Sequence, residues 1–291
     1  MLARTKSTRR RFSRKAHSYD EHAAVQRTMA ETLLRRLVAE RRPQASAEPL
    51  RILEIGCGTG LLTASLLDAL PGAHVTAIDL APGMLTLARQ RLRVYGERVD
   101  LVQADIEQWA AEQTSRASGK PDTAPYPAYD LILSNACFQW LIDPAATVRH
   151  LQQLAASGGM LLFSTFGPGT FHELHDAFRQ AYAILGHPQQ QHGLMLAGPE
   201  EWTALLCSAG WLRPNACCST VIESFPSVRD FLHSVKAIGA SSTQAVPVPG
   251  LSTRRLFAEM TACYEREYAT LTGIPASYEL LYHYAHADGD D

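Results

Sequence analysis

Hydrophobic positions recur along the chain in two rhythms. Between residues 20 and 42, Val25, Met29, Leu33, Leu34, Leu37 and Val38 return at three- and four-residue steps, which predicts a single amphipathic helix ending at Arg41-Arg42-Pro43. From Leu50 onward, short apolar runs alternate with helical stretches. The runs predict strands over 51–55, 74–79, 99–104, 129–135 and 159–166. Helices fit over 61–70, stopped by Pro71-Gly72, over 82–95, stopped by Gly96, and over 144–156, stopped by Gly158-Gly159. Asp143-Pro144 is a helix start, an acid at the N-cap followed by a proline whose fixed φ suits the first helical position. Strands alternating with helices predict a parallel sheet covered on both faces, the Rossmann-like α/β class.

The stretch 114–127 is polar and punctuated by Gly119, Pro121, Pro125 and Pro127, so it reads as an exposed loop, as does the shorter 44–49. Beyond Phe166 the alternation lapses. Segments 170–185, 199–209, 228–238 and 253–268 read as helices, 216–225 as a strand, and 277–286 as a last strand antiparallel to the rest. The chain thus divides into a basic N-terminal segment with a lid helix (1–49), a ligand-binding core (50–166) and C-terminal strands with lid insertions (167–291).

Composition narrows the function. With 291 residues, 46% of them hydrophobic, and a net charge of only -2, the chain is a folded protein and not a binder of nucleic-acid backbones, which needs a basic stripe. The charge is unevenly spread. Arg4, Lys6, Arg9, Arg10, Arg11, Arg14 and Lys15 meet no acid in the first 15 residues, while Asp288, Asp290 and Asp291 cluster at the end. The six cysteines form no C-x-x-C pair, so neither a zinc ribbon nor a disulfide framework is expected, only reduced thiols of a cytoplasmic protein. No apolar run has the length of a membrane span, and no apolar stretch follows the basic start as a signal peptide requires, so no membrane partner is expected.

The densest chemical signal is Leu53-Glu54-Ile55-Gly56-Cys57-Gly58-Thr59-Gly60, a strand running into a glycine-rich turn and then a helix. The spacing is G-x-G-x-G, not the G-x-G-x-x-G of pyrophosphate sites, and Glu54 just before it would repel a phosphate and favour a cation. Asp79 closes the second strand, 19 residues after Gly60, where an acid can accept both hydroxyls of a ribose. Asp105 follows the third strand on the same sheet edge, placed for an exocyclic amine.

These residues together resemble the class I S-adenosylmethionine-dependent methyltransferases. The resemblance implies a seven-stranded sheet in which Gly56, Gly58 and Gly60 cradle the methionine part of the cofactor and Asp79 holds its ribose. It further implies that Asp105 and Ile106 flank the adenine, Leu80 and Met84 line its pocket, and Glu54 acts near the cofactor's amino group. Asn135, ending strand four, would face the cofactor.

Further motifs narrow the family. Arg11-Phe12-Ser13, Ser18-Tyr19-Asp20, the run from Ser134 to Trp140, Ser164-Thr165-Phe166-Gly167, the run from Phe171 to His175, and the run from Phe231 to Ala240 look like the malonyl-acyl carrier protein O-methyltransferases of biotin biosynthesis. That resemblance implies methylation of the free carboxylate of a malonyl thioester on acyl carrier protein or coenzyme A, which disguises it for chain extension towards pimeloyl. Such a carboxylate is already ionised at neutral pH, so no catalytic general base is expected. A carboxylate in a dry pocket does need a cationic partner. Lys236 and Arg149 are the candidates, with Tyr19, Phe138, Gln139 and Trp140 as the pocket wall and Tyr19 shared with the cofactor. Two other readings stay open: a methyltransferase of another small carboxylic acid or a quinone precursor, and a binding protein that senses the cofactor without using it. The basic cluster would steer an acidic carrier to the mouth of the site.

Other signals carry no chemistry. His172-Glu173-Leu174-His175 spaces its histidines three apart where H-E-x-x-H needs four, and His283 and His286 on one strand would face opposite sides, so no metal is expected.

Overall fold

A computed structural model gives the architecture, and residues 2–40, 49–118, 128–238 and 252–288 are described. Seven strands form one sheet in the order β3-β2-β1-β4-β5-β7-β6. Strands β1 (Leu50–Ile55), β2 (Ala73–Asp79), β3 (Val99–Gln103), β4 (Tyr129–Asn135) and β5 (Ala155–Phe166) are parallel. β7 (Ile274–His286) runs antiparallel between β5 and β6 (Leu212–Phe225). The strand order reverses between β1 and β4, and a crevice opens at the carboxyl ends of the strands there.

The central strands are apolar on both faces because both are covered. Ile52, Leu131 and Leu133 face a core built with α2 (Ala24–Glu40), α3 (Leu61–Ala69), α4 (Pro82–Leu92), α7 (His172–Ile184), α9 (Val228–Ala237) and α10 (Thr253–Tyr268). Their neighbours Leu53 and Ile132 face a second core with α5 (Ile106–Ser118), α6 (Pro144–Leu154) and α8 (Pro199–Ser208). Asp143 caps α6 as expected, its side chain accepting from Ala146 N at 2.9 Å.

Several boundaries differ from the sequence reading. The basic start is a helix, α1 (Leu2–His22), and the single helix expected over 20–42 is two, broken at Ala23. The inward stripe of α1 is made of Thr8, Ala16 and partly buried aromatics, a pattern that hydrophobicity alone does not register. Helix α5 occupies the start of the stretch read as a loop; after Ile106 its buried positions Ala110, Gln113 and Thr114 are small or polar. Residues 119–127, 41–48, 239–251 and 289–291 lie outside the described residues, and with them most of both expected loops, Gly239, Ala240, Asp290 and Asp291. β5 begins at Ala155, inside the predicted α6, and β6 begins at Leu212 with an irregularity where Arg213 takes φ 51°.

Candidate active site

The turn after β1 holds three glycines with φ between 57° and 79°, a left-handed region that a side chain resists. Each has a different neighbour. A Cβ on Gly56 would lie 2.5 Å from Cys137 Sγ, one on Gly60 would lie 3.0 Å from Leu92 Cδ1 of α4, and one on Gly58 would meet nothing within 4 Å. Asp79 holds this turn from the end of β2: Oδ2 accepts from Gly58 N at 2.8 Å and Oδ1 from Ala81 N at 2.7 Å. Burial pushes the Asp79 carboxyl up to about 6, against the pull of those two amides.

Glu54 lies deeper, 2% exposed, with Oε2 lacking a hydrogen-bond partner among the described residues. Burial pushes it up to about 7, with the Thr63 hydroxyl opposing and the Asp79 carboxylate adding to the rise. Two acids held above their ordinary range beside a glycine turn make a site that gains from a cationic ligand, because a positive charge offsets what desolvation costs them.

On the other side, Asp105 Oδ1 accepts from Glu107 N at 3.0 Å and so opens α5. The Glu107 carboxylate then accepts from Ile142 N at 3.1 Å and Asp143 N at 2.7 Å, tying α5 to the turn after β4. That turn is held further by Asn135, whose Nδ2 donates to Gln26 O at 3.0 Å and whose Oδ1 accepts from Ser164 Oγ at 2.7 Å. Ala136 takes φ 50°, and its carbonyl accepts from Gln139 Nε2 at 2.7 Å.

These pieces enclose a cavity of about 900 Å³, part of it open to solvent. Its floor is Gly56, Gly58, Asp79, Leu80, Asp105 and Asn135, and its roof is α1, through Thr5, Thr8, Phe12 and Tyr19. Trp140 closes one side, edge-on to Phe12 at 5.4 Å and under the Arg11 guanidinium at 5.4 Å. Arg4 and Arg9 also line it.

A family model for a methyltransferase domain matches residues 53–161, from within β1 to within β5. A malonyl-[acyl-carrier protein] O-methyltransferase of Paenibacillus is 44% identical over 95% of this chain and 96% of its own. One of Brevibacillus brevis is 42% identical over 94% of this chain and 92% of its own. The chain belongs to the malonyl-acyl carrier protein O-methyltransferase family. Among solved structures, the YcgJ protein of Bacillus subtilis superposes with TM-score 0.55 at 14% identity, covering 89% of this chain and 99% of that one, a likeness of fold. Phosphoethanolamine N-methyltransferase 2 of Haemonchus contortus gives TM-score 0.53 at 15% identity, covering 94% of this chain and 56% of that one.

For this O-methyltransferase, the cavity gathers Tyr19, Gly56, Gly58, Asp79, Leu80, Met84, Asp105, Ile106, Asn135 and Trp140, ten of the residues singled out in the sequence. Others lie elsewhere. Glu54 is beneath the floor, and Gly60 serves the packing of α3 on α4. Phe138, 1% exposed, stacks on Phe163 at 4.4 Å in the second core, because the turn after β4 points it under the sheet edge. Gln139 is consumed by Ala136 and by Thr165 Oγ1, which donates to Oε1 at 3.1 Å. Lys236 and Arg149 are exposed on α9 and α6 and do not line the cavity; the apolar neighbours of Lys236 mark the buried side of its helix, not its own direction. Thr5 and Thr8 on α1, with Cys137 and Glu107, line the cavity without having been singled out for the site, and Arg4 and Arg9 belong to the basic cluster expected at its mouth. The spacing Thr5, Thr8, Phe12, Ala16, Tyr19 was the one signal for the two threonines. Outside the site, Glu173 accepts from Ser277 N and Oγ, and His283 is buried against Phe163 at 4.9 Å. No helix among the described residues is long and apolar enough to cross a membrane.

Proposed function

We propose that this enzyme transfers the methyl group of S-adenosylmethionine to the free carboxylate of a malonyl group on acyl carrier protein, the step that prepares it for extension towards the pimeloyl chain of biotin. The observation that carries the reading is the convergence of the glycine turn, Asp79 and Asp105 on one cavity roofed by α1. The residues fit the cofactor: Gly58 leaves open space where a side chain would stand, and Glu54 Oε2 is a buried acceptor beside the turn with no partner among the described residues. When bound, S-adenosylmethionine supplies a methyl group on a cationic sulfonium, open to displacement by an oxygen.

The chain's own residues have positioning to do. Asp79 keeps lone pairs beyond those given to Gly58 and Ala81 and can accept from ribose hydroxyls. Asp105, with Oδ1 engaged by Glu107, offers Oδ2 towards an adenine amine, with Ile106, Leu80 and Met84 as apolar walls. Burial and the Asp79 carboxylate raise the Tyr19 phenol, so it stays protonated over the cavity as a hydrogen-bond donor. Burial, then the acids at 79, 105 and 107, push the Cys137 thiol up to about 12, so it does not compete with the substrate as a nucleophile. No general base is required, since the attacking carboxylate is ionised; orientation and exclusion of water supply the acceleration. Among the described residues, the cations that line this cavity are Arg4 and Arg9, and they are the ones a substrate carboxylate could meet.

Production of S-adenosylhomocysteine from malonyl-acyl carrier protein, malonyl-coenzyme A and trans-aconitate tests the reading. Turnover of a malonyl thioester is expected; turnover of trans-aconitate alone would overturn the substrate.

A further inference from the structure

The roof of the cavity is fastened to its floor by a polar cluster that neither lines the cavity nor appears in the chemistry above. Asp20 follows Tyr19 on α1, and its Oδ1 accepts from Thr59 Oγ1 at 2.7 Å while Oδ2 accepts from Arg91 Nη2 at 2.7 Å. Thr59 in turn follows Gly58. Arg91, in the last turn of α4, also donates through Nη1 to the Thr59 carbonyl at 2.7 Å and to its hydroxyl at 2.8 Å. Arg27 on α2 donates to the Asp20 carbonyl. Further along, α1 crosses α4 at Gly83, where a Cβ would lie 2.4 Å from the Ser13 carbonyl oxygen, so the two backbones touch.

We infer that Asp20 and Arg91 form a latch that closes α1 over the bound cofactor and sets the rate at which it leaves; both are positioning residues. Tyr19 and Gly58 line opposite walls of the cavity, and each is the chain neighbour of one half of the latch. A ligand held between floor and roof is released when the two walls part, and parting them at this end breaks the Asp20 contacts with Thr59 and Arg91 together. The Arg91 and Asp20 side chains are 33% and 35% exposed, so water can replace each partner and the latch can open reversibly. The bidentate reach of Arg91, to the lid and to the glycine turn at once, transmits the position of one to the other.

The latch rests on the assignment of this cavity to S-adenosylmethionine, and the test separates the two. Dissociation rates of S-adenosylmethionine and S-adenosylhomocysteine are measured by stopped flow on the full chain for D20N, R91M, R91K, the double variant D20N/R91M and D79N, with the melting temperature of each ligand-free protein. D20N and R91M should each speed dissociation about tenfold and raise the KM for S-adenosylmethionine in step, with kcat held or increased. The double variant should be no faster than either single one, because the two residues share one latch, and R91K should recover part of the loss. A purely structural role would lower the melting temperature and leave the dissociation rates of the folded fraction unchanged; that result, or additive effects in the double variant, overturns the latch. If D79N loses affinity while D20N releases ligand at the wild-type rate, the latch falls alone. If D79N binds as tightly as wild type, the cavity assignment falls and the latch with it.

Discussion

Replacing Glu54 by Gln should stabilise the empty protein and weaken the cofactor-bound one. Glu54 is 2% exposed, one carboxylate oxygen has no partner among the described residues, and burial lifts its pKa from 4.5 to about 7. A carboxyl whose folded pKa lies above its unfolded one takes protons up on folding, so its favourable contribution is complete below pH 4.5 and is lost as pH rises through 7. Two and a half pH units correspond to about 3 kcal/mol of stability forgone at and above neutral pH. Gln removes that penalty but buries an amide N–H2, which takes back about 1 to 2 kcal/mol. The net expectation for E54Q is a gain of about 1 to 2 kcal/mol at pH 7.5, roughly 2 to 4 °C in Tm, with a flatter stability profile between pH 4.5 and 7. S-adenosylmethionine affinity should move the opposite way, by about tenfold to a hundredfold, the worth of one hydrogen bond to a charged group. Binding should also release a fraction of a proton near pH 7, because a cation favours the ionised acid, and calorimetry in buffers of different ionisation enthalpy reads this directly. An E54Q protein with wild-type stability, an unchanged pH profile and no loss of proton release would show that Glu54 is an ordinary paired carboxylate, and the argument from its burial would be wrong.

Other residues give sharper single outcomes. His283, buried with both ring nitrogens unpartnered among the described residues, is held by burial at about 4 instead of 6.5, so stability should fall as pH drops from 6.5 to 4, opposite in sign to Glu54. H283F, read by urea melts at pH 5 and 7.5, should remove that slope; an unchanged slope refutes the assignment. Gly60→Ala should cost more stability than Gly58→Ala, since Gly60 meets Leu92 and Gly58 meets open space, whereas Gly58→Ala should cost more in S-adenosylmethionine affinity; the reverse ordering in melts and calorimetry would reject the division of roles. Lys236→Ala and Arg149→Ala should leave the KM for the malonyl substrate unchanged, and Arg9→Ala should raise it severalfold; a normal KM in Arg9→Ala refutes its place at the mouth.

The sheet was legible because its strands are short apolar runs bounded by glycine, proline and acids, and those bounds are where the backbone must turn. Asp79 and Asp105 could be placed for the same reason: a residue that ends a parallel strand lies on the ligand edge whatever its partners. Direction around a turn was not legible. Phe138, Gln139 and Trp140 are consecutive, yet one fills the core, one braces Ala136 and Thr165, and only the third reaches the cavity, because a 3₁₀ turn over Phe138–Trp140 sends successive side chains about a third of a circle apart. A motif does not say which glycine faces the crevice and which faces a helix: a Cβ on Gly58 would meet open space, and one on Gly60 would meet Leu92 of α4. The direction of a lone cation is equally hidden: Lys236 stands between apolar residues that face inward, yet it is exposed on α9 and outside the cavity lining.

Helix α1 shows how a net charge of -2 can hide a strongly basic element. Thr5, Thr8, Phe12 and Tyr19 recur at three- and four-residue steps and roof the cavity. Lys6, Arg10 and Arg14, four residues apart, are exposed, and at about 100° per residue their stripe falls on the side of the helix away from that roof, with Arg4 and Arg9 flanking it. Deleting the first nine residues would therefore remove part of the roof together with the charge and could not separate cofactor binding from carrier docking. Charge reversal on the outer stripe can. K6E/R10E/R14E should leave S-adenosylmethionine affinity and kcat/KM for malonyl-coenzyme A within about twofold, and lower kcat/KM for malonyl-acyl carrier protein about tenfold or more at low salt. Raising ionic strength should depress the wild-type value for the carrier-borne substrate and leave the triple variant nearly flat, since screening acts on a field the variant no longer has. Equal losses on both substrates, or a salt dependence that survives the reversal, would mean that the stripe solubilises the lid and the carrier is met elsewhere.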